Sequence, residues 1–211
     1  MSRAFRLAGI TAGLLLIAFG VGAVLIGLAG RNEVSANIKR EQIVGTPDMK
    51  PALIAPKAKA AGLHVALPTC DVAGKAIASG SDAKCFAAYM RIHALEATGG
   101  KTYAQMPQYA SADGRGTADP AKAITDPKTG EPQSNQARQI WIGETALSTA
   151  LNTSYFASSV GTFAIVMGAA LLLTGVGFIV LSSGLLGRAG IRRRPTAGRS
   201  RVTPAAASDP A

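Results

Sequence analysis

The residues best suited to chemistry in this chain are two histidines, His64 and His93, and two cysteines, Cys70 and Cys85. A non-haem iron oxygenase holds its metal with about two His and one carboxylate, leaving positions open for oxygen and substrate. Glu96 lies three residues after His93, so both can share one face of a helix. His64, His93 and Glu96 can therefore be drawn as a metal triad. Such a triad uses every histidine and leaves none for proton transfer. The simpler reading makes His93 a half-buried helix residue, Glu96 a solvated one and His64 a member of a short extended segment. On that reading the chain has no catalytic residue, no metal and no cofactor. The sequence holds no GxxxxGK[ST], GxSxG or HExxH, the signatures of phosphate cradles, serine nucleophiles and zinc proteases. Gly99-Gly100 before Lys101-Thr102-Tyr103 closes a helix C-terminus, whereas anion-binding amides lie at the N-terminus.

The elements around these residues are marked first by apolar length. From Leu7 to Gly30 no residue is charged, and between Glu144 and Arg188 none is charged either. At about 1.5 Å per residue, 24 residues make a helix of about 36 Å, enough to cross a hydrocarbon core of about 30 Å. Val160–Leu186 is the most apolar part of the second run. A buried core helix seldom stays apolar on all sides for so long. The first run exceeds the apolar core of a cleaved signal peptide, so it reads as an uncleaved anchor.

Charge then orients the spans. Residues 1–6 carry two Arg and no acid, and residues 188–211 carry six Arg and one acid. Arginine beside a span stays cytoplasmic. The expected arrangement is a bacterial plasma-membrane protein with both termini cytoplasmic and residues 31–158 outside. Its fold class is mainly α: a two-helix transmembrane hairpin with a small, mostly helical exported domain inserted between the spans. The expected segments are a cytoplasmic N-terminus (1–6), span 1 (7–30), the exported domain (31–158), span 2 (159–187) and a basic, disordered cytoplasmic tail (188–211). Neither span contains an ionisable residue, which argues against a proton or ion relay. Arg188, Arg192, Arg193 and Arg194 follow the second span directly, without interleaved aromatics. Their expected partner is anionic lipid head groups, not nucleic acid.

Glycine supplies the third signal. Gly13, Gly20 and Gly27 recur every seven residues in the first span, and Gly161, Gly168 and Gly175 in the second, with Ser182 extending the series. A seven-residue repeat keeps one seam in register. Glycine there lets backbones approach, which is how helices associate in lipid. Chain order makes the pair antiparallel, so Gly27 is expected near Gly161 and Gly20 near Gly168. Self-association through Gly9-xxx-Gly13 is a rival use of the same residues.

In the exported segment an oxidising compartment favours a Cys70–Cys85 disulfide. Two free buried thiols are the alternative, and the spacing does not suit zinc. Thr46-Pro47-Asp48 reads as a helix start, with Pro51 and Pro56 keeping the helix short and Gly62 ending it. Leu63–Leu67 reads as a short strand or extended segment. A helix from 83 to about 98, capped by Ser81 or Asp82, turns Phe86, Tyr89, Met90, Ile92 and His93 inward and stops at Gly99-Gly100. Residues 107–135 are rich in Pro, Gly, Asp and Ser and read as a mobile loop. From Asn135, a capping residue, one long helix is expected to run into the second span.

TPDM at 46–49, LPTC at 67–70, CFAAYMRIHALEATGGKTYAQMP at 85–107 and ETALSTALNTSYFA at 144–157 together resemble an uncharacterised family. Its members are small two-span membrane proteins of GC-rich Gram-positive bacteria. They often carry the label "aromatic ring-opening dioxygenase". The resemblance thus implies the two-span architecture, and the label implies a metal-dependent oxygenase. From the residues themselves, the expected function is a structural, interaction or accessory protein of the cell envelope, with a membrane or envelope protein as partner. The oxygenase is the alternative.

Overall fold

The computed structural model describes residues 3–183, and its described residues form helices without any strand. Four α-helices follow in order: α1 Arg3–Arg40, α2 Pro51–Ala60, α3 Gly80–Ala97 and α4 Gln136–Ser183. Two 3-10 turns, Tyr103–Gln105 and Pro120–Lys122, punctuate the connection before α4.

α1 does not stop at Arg31, where its charge-free run ends. It continues to Arg40, and Lys39 and Arg40 in its last turn complement the negative end of the helix dipole. Its extension brings Ile38 into the head, where it is buried. α4 starts where expected: the Asn135 side chain accepts a hydrogen bond from the Ala137 amide at 3.0 Å, satisfying a donor that the helix itself leaves unpaired. It runs unbroken for 48 residues. α1 and α4 pack along their lengths, antiparallel, as the order of their glycine contacts requires.

The head sits where α1 ends and α4 begins. α3 packs on α4, and α2 on α3. The core centres on Met49, Ile54, Ile77 and Tyr89, all 2% exposed or less. Leu151 of α4 and Ile38 of α1 belong to the same cluster, so the two long helices are continuous with the core of the head.

Several boundaries differ from the sequence reading. Thr46–Met49 is a turn, not a helix start, and α2 begins one turn later at Pro51. The Thr46 hydroxyl bonds the Asp48 carboxylate at 2.5 Å, locking the turn instead of capping a helix. Pro56 lies inside α2, since a ten-residue helix tolerates one lost backbone bond when its apolar face is packed. α3 begins at Gly80, three residues early. Its cap is Ser79, whose hydroxyl accepts from the Asp82 amide while the Asp82 carboxylate accepts from the Ser79 amide. Of the residues expected inward, Phe86, Tyr89 and Ile92 are buried, while Met90 and His93 are half-buried. Leu63–Leu67 forms no strand.

Composition predicts that the 107–135 segment is a mobile loop. It has a hydrogen-bonded frame of its own. Tyr109 and Thr117 exchange two backbone bonds at 2.9 Å, and Ala110 and Ile124 are linked onward to Gln133. Gly114, Gly116 and Gly130 all have positive φ, the left-handed region that turns of this kind need.

Candidate functional site

Four features of the described residues carry geometry beyond ordinary packing. The first is the glycine seam. A Cβ added to Gly27 would lie 2.6 Å from the Gly161 carbonyl oxygen, one on Gly20 2.8 Å from Gly168 O, and one on Gly13 2.7 Å from Gly175 O. The reverse contacts are 2.7 Å at Gly168 and Gly175 and 3.0 Å at Gly161, so a side chain at any of the six positions would force a shift. Five of the six glycines also receive a branched side chain from the other helix: Ile165, Leu172 and Ile179 against α1, and Val24 and Ile17 against Gly168 and Gly175. At the head end the Arg31 stem lies across Gly161. At the other end Gly9 abuts the buried Ser182. Gly9 and Gly13 are thus occupied within the chain, not presented for self-association.

The second feature is the corner made by Cys70 and Cys85, which are joined as a disulfide. One turn along α3, the fully buried Tyr89 donates its hydroxyl to the Cys70 carbonyl at 2.6 Å. Burial, with the nearby Asp71 carboxylate, pushes that phenol above its ordinary value, so it stays a donor across the physiological range.

Third, Asp48 ties three elements together. Its carboxylate accepts from Lys57 Nζ of α2 at 2.7 Å and lies 3.1 Å from His93 Nε2 of α3. The hydrogen bonds from Lys57 and Thr46, aided by the His93 ring, hold its carboxyl well below the usual carboxylate range. The ion pair in turn raises the Lys57 ammonium. A carboxylate lowered by folding stabilises the native state above its unfolded value, and that contribution fades as pH falls toward the folded value. The stability gap between wild type and Asp48→Asn is therefore expected to be full above pH about 4 and to narrow below it. Denaturant titrations of both proteins at pH 7 and pH 3 check this; a gap that widens in acid contradicts it.

This arrangement does not bring the three residues of the metal triad together. The partner of His93 is Asp48, not Glu96; Glu96 and His64 are both exposed. Among the described residues no group of three or more His, Cys, Asp or Glu is placed to hold a metal ion.

Sequence reasoning missed the fourth feature, the face between α3 and α4. Glu144 has a side chain only 3% exposed. It accepts from Ser148 Oγ at 2.8 Å and lies 3.7 Å from Arg91 of α3. The Arg91 guanidinium sits 4.7 Å from the Trp141 ring centroid, and Lys84 Nζ sits 4.4 Å from that of Tyr155. The signal was present in the seven-residue spacing of Lys84 and Arg91, which places both on one helix face.

Arg188, Arg192, Arg193 and Arg194, read as lipid-facing, lie outside the described residues. The structure thus defines a mainly helical protein with two long apolar helices, packed on each other through glycine and bearing a disulfide-linked head. No protein-family model, curated protein or solved structure matches the chain.

Proposed function

We propose that the chain is a two-span membrane protein that holds its helical head outside the plasma membrane, with both termini in the cytoplasm. Its role is structural or interactive: an anchored head that meets a membrane or envelope partner, with the basic tail on anionic head groups. One observation carries this reading. The most apolar 18-residue windows of α1 and α4 are only 17% and 11% buried within the molecule. A core helix of that hydropathy would be covered; these turn Phe19, Ile26, Phe163 and Leu173 outward, each at least 65% exposed. In water such a surface costs about 25 cal/mol per Å²; in lipid it costs nothing. The arginine asymmetry supports the orientation. The head offers no metal cluster among its described residues, so no observation favours the oxygenase reading.

The test is labelling of intact cells, with the wall removed, by a membrane-impermeant amine reagent. Lys122 and Lys128 are exposed in the head and are expected to react before lysis. Modification of both only after lysis would overturn the orientation.

A further inference from the structure

We propose that the cleft between α3 and α4 binds an acidic saccharide, a polyhydroxylated ligand bearing a carboxylate or phosphate. The proposal rests on the geometry of the head alone and does not depend on which side of a membrane the head occupies.

The cleft has a volume of about 320 Å³, within the range of small-ligand sites. It exists because the facing residues are small: Ala87 and Ala88 on α3, Ser148 and Thr149 on α4. Two cations of α3, Lys84 and Arg91, line it seven residues apart. Two helical turns separate them by roughly 10 Å along the axis. Each is held over an aromatic ring of α4 instead of in a close ion pair. Cation–π contact fixes a cation without using its N–H donors. Neither the Lys84 ammonium nor the Arg91 guanidinium makes a hydrogen bond to a described residue, and the acid paired with Arg91, Glu144, stands off at 3.7 Å. Arg91 is 54% exposed, so its donors are open to a ligand.

The α4 wall has the opposite character. Ser148 spends its hydroxyl proton on Glu144, and Thr149 spends its own on the Thr145 carbonyl at 2.7 Å. What these hydroxyls offer the cleft is oxygen acceptors, joined by the Asn152 amide oxygen, with the Glu144 carboxylate, only 3% exposed, behind them. An acceptor-rich wall opposite unspent cations is complementary to a body of hydroxyl donors carrying an anionic group. A neutral sugar leaves the cations uncompensated. An acidic peptide answers the cations but brings no row of hydroxyl donors for the wall.

Trp141, the chain's single tryptophan, lies under Arg91 and reports on the cleft. The experiment titrates digalacturonate into the full chain in nanodiscs of neutral lipid, reading Trp141 emission. The expected result is a saturable change. Lys84→Gln and the cleft-filling Asn152→Leu should each weaken it about tenfold or more, and maltose should bind at least as much more weakly than digalacturonate. Lys84→Arg should restore most of the affinity, which a merely misfolded variant would not allow. Adding phosphatidylinositol to the discs separates the sources: competition with digalacturonate identifies a lipid head group as the anionic polyol, and no competition a free saccharide. Absence of a saturable change, equal affinity for inorganic phosphate, or equal affinity for diglutamate would each overturn the assignment.

Discussion

Chains carrying Gly20→Leu or Gly168→Leu are expected to lose the close pairing of α1 and α4. At both positions a first side-chain carbon would already fall within 3.0 Å of backbone atoms of the other helix. Backbone cannot rotate away as a side chain can, so the helices must separate to admit a leucine. Overpacking a fitted interface costs about 1–3 kcal/mol, and more where backbone must move; each variant should lose on the order of 3 kcal/mol of helix association. In the proposed membrane setting little opposes separation once the seam opens, because lipid would solvate the released faces as well as they solvated each other. Gly22 and Gly177 provide the control, since a Cβ at either meets nothing within 4 Å. Leucine at those positions should be silent, although they lie in the same two helices. The readout is crosslinking between cysteines placed at 24 and 164 by a bifunctional thiol reagent, with the native disulfide left in place because it offers no free thiol. Unchanged crosslinking in both seam variants would remove the seam as the basis of pairing.

The seam was legible in the sequence because its cause is periodic. A seven-residue repeat of glycine on two apolar helices states both which face meets and, through chain order, which glycine meets which. The long helices were legible for a similar reason: absence of charge and proline over many residues is a strong, redundant signal. The head was less so. Its pairing of Ile43–Gly45 with Val72–Ile77, where the Gly45 amide bonds Lys75 O at 2.9 Å, joins segments about 30 residues apart, and no local pattern marks it. Gly45 lies so close to the Val72 carbonyl that no side chain fits, yet in the sequence it is one glycine among 24.

The α3–α4 face was missed for a different reason. In the sequence Glu144 is the last charge before a long uncharged run, whereas its burial depends on Arg91 and Ser148 arriving from two directions. Asp48 likewise looked like a helix-start acid. Its three partners, Thr46, Lys57 and His93, are spread over 48 residues and meet only through the packing of α2 on α3. Periodicity reveals a face; it does not reveal which polar groups will share it.

Reduction of the Cys70–Cys85 bond is expected to be the most destabilising single change in the head. The bond closes a separation of 15 residues, for which the chain-entropy model gives about 3 kcal/mol. The segment it secures has few other anchors. His64, Val65, Ala66 and Leu67 are exposed, and Leu63 alone of that stretch packs into the core. The Tyr89 hydroxyl holds the same point from α3 by its bond to the Cys70 carbonyl. Tyr89→Phe removes that bond and should cost about 1 kcal/mol in the oxidised protein. The two effects are coupled, because a hydrogen bond to a tethered carbonyl orders less chain than one to a carbonyl that is free to move away. With the disulfide reduced, the Cys70 segment samples positions that Tyr89 cannot reach, so the same substitution should then cost less. Denaturant unfolding of wild type and Tyr89→Phe, each oxidised and reduced and followed by Trp141 emission, forms a complete cycle. The expected outcome is a midpoint lowered mainly by reduction, with the Tyr89 contribution shrinking in the reduced pair. Equal midpoints for oxidised and reduced wild type would show that packing of α3 on α4, not the covalent link, holds this corner of the head.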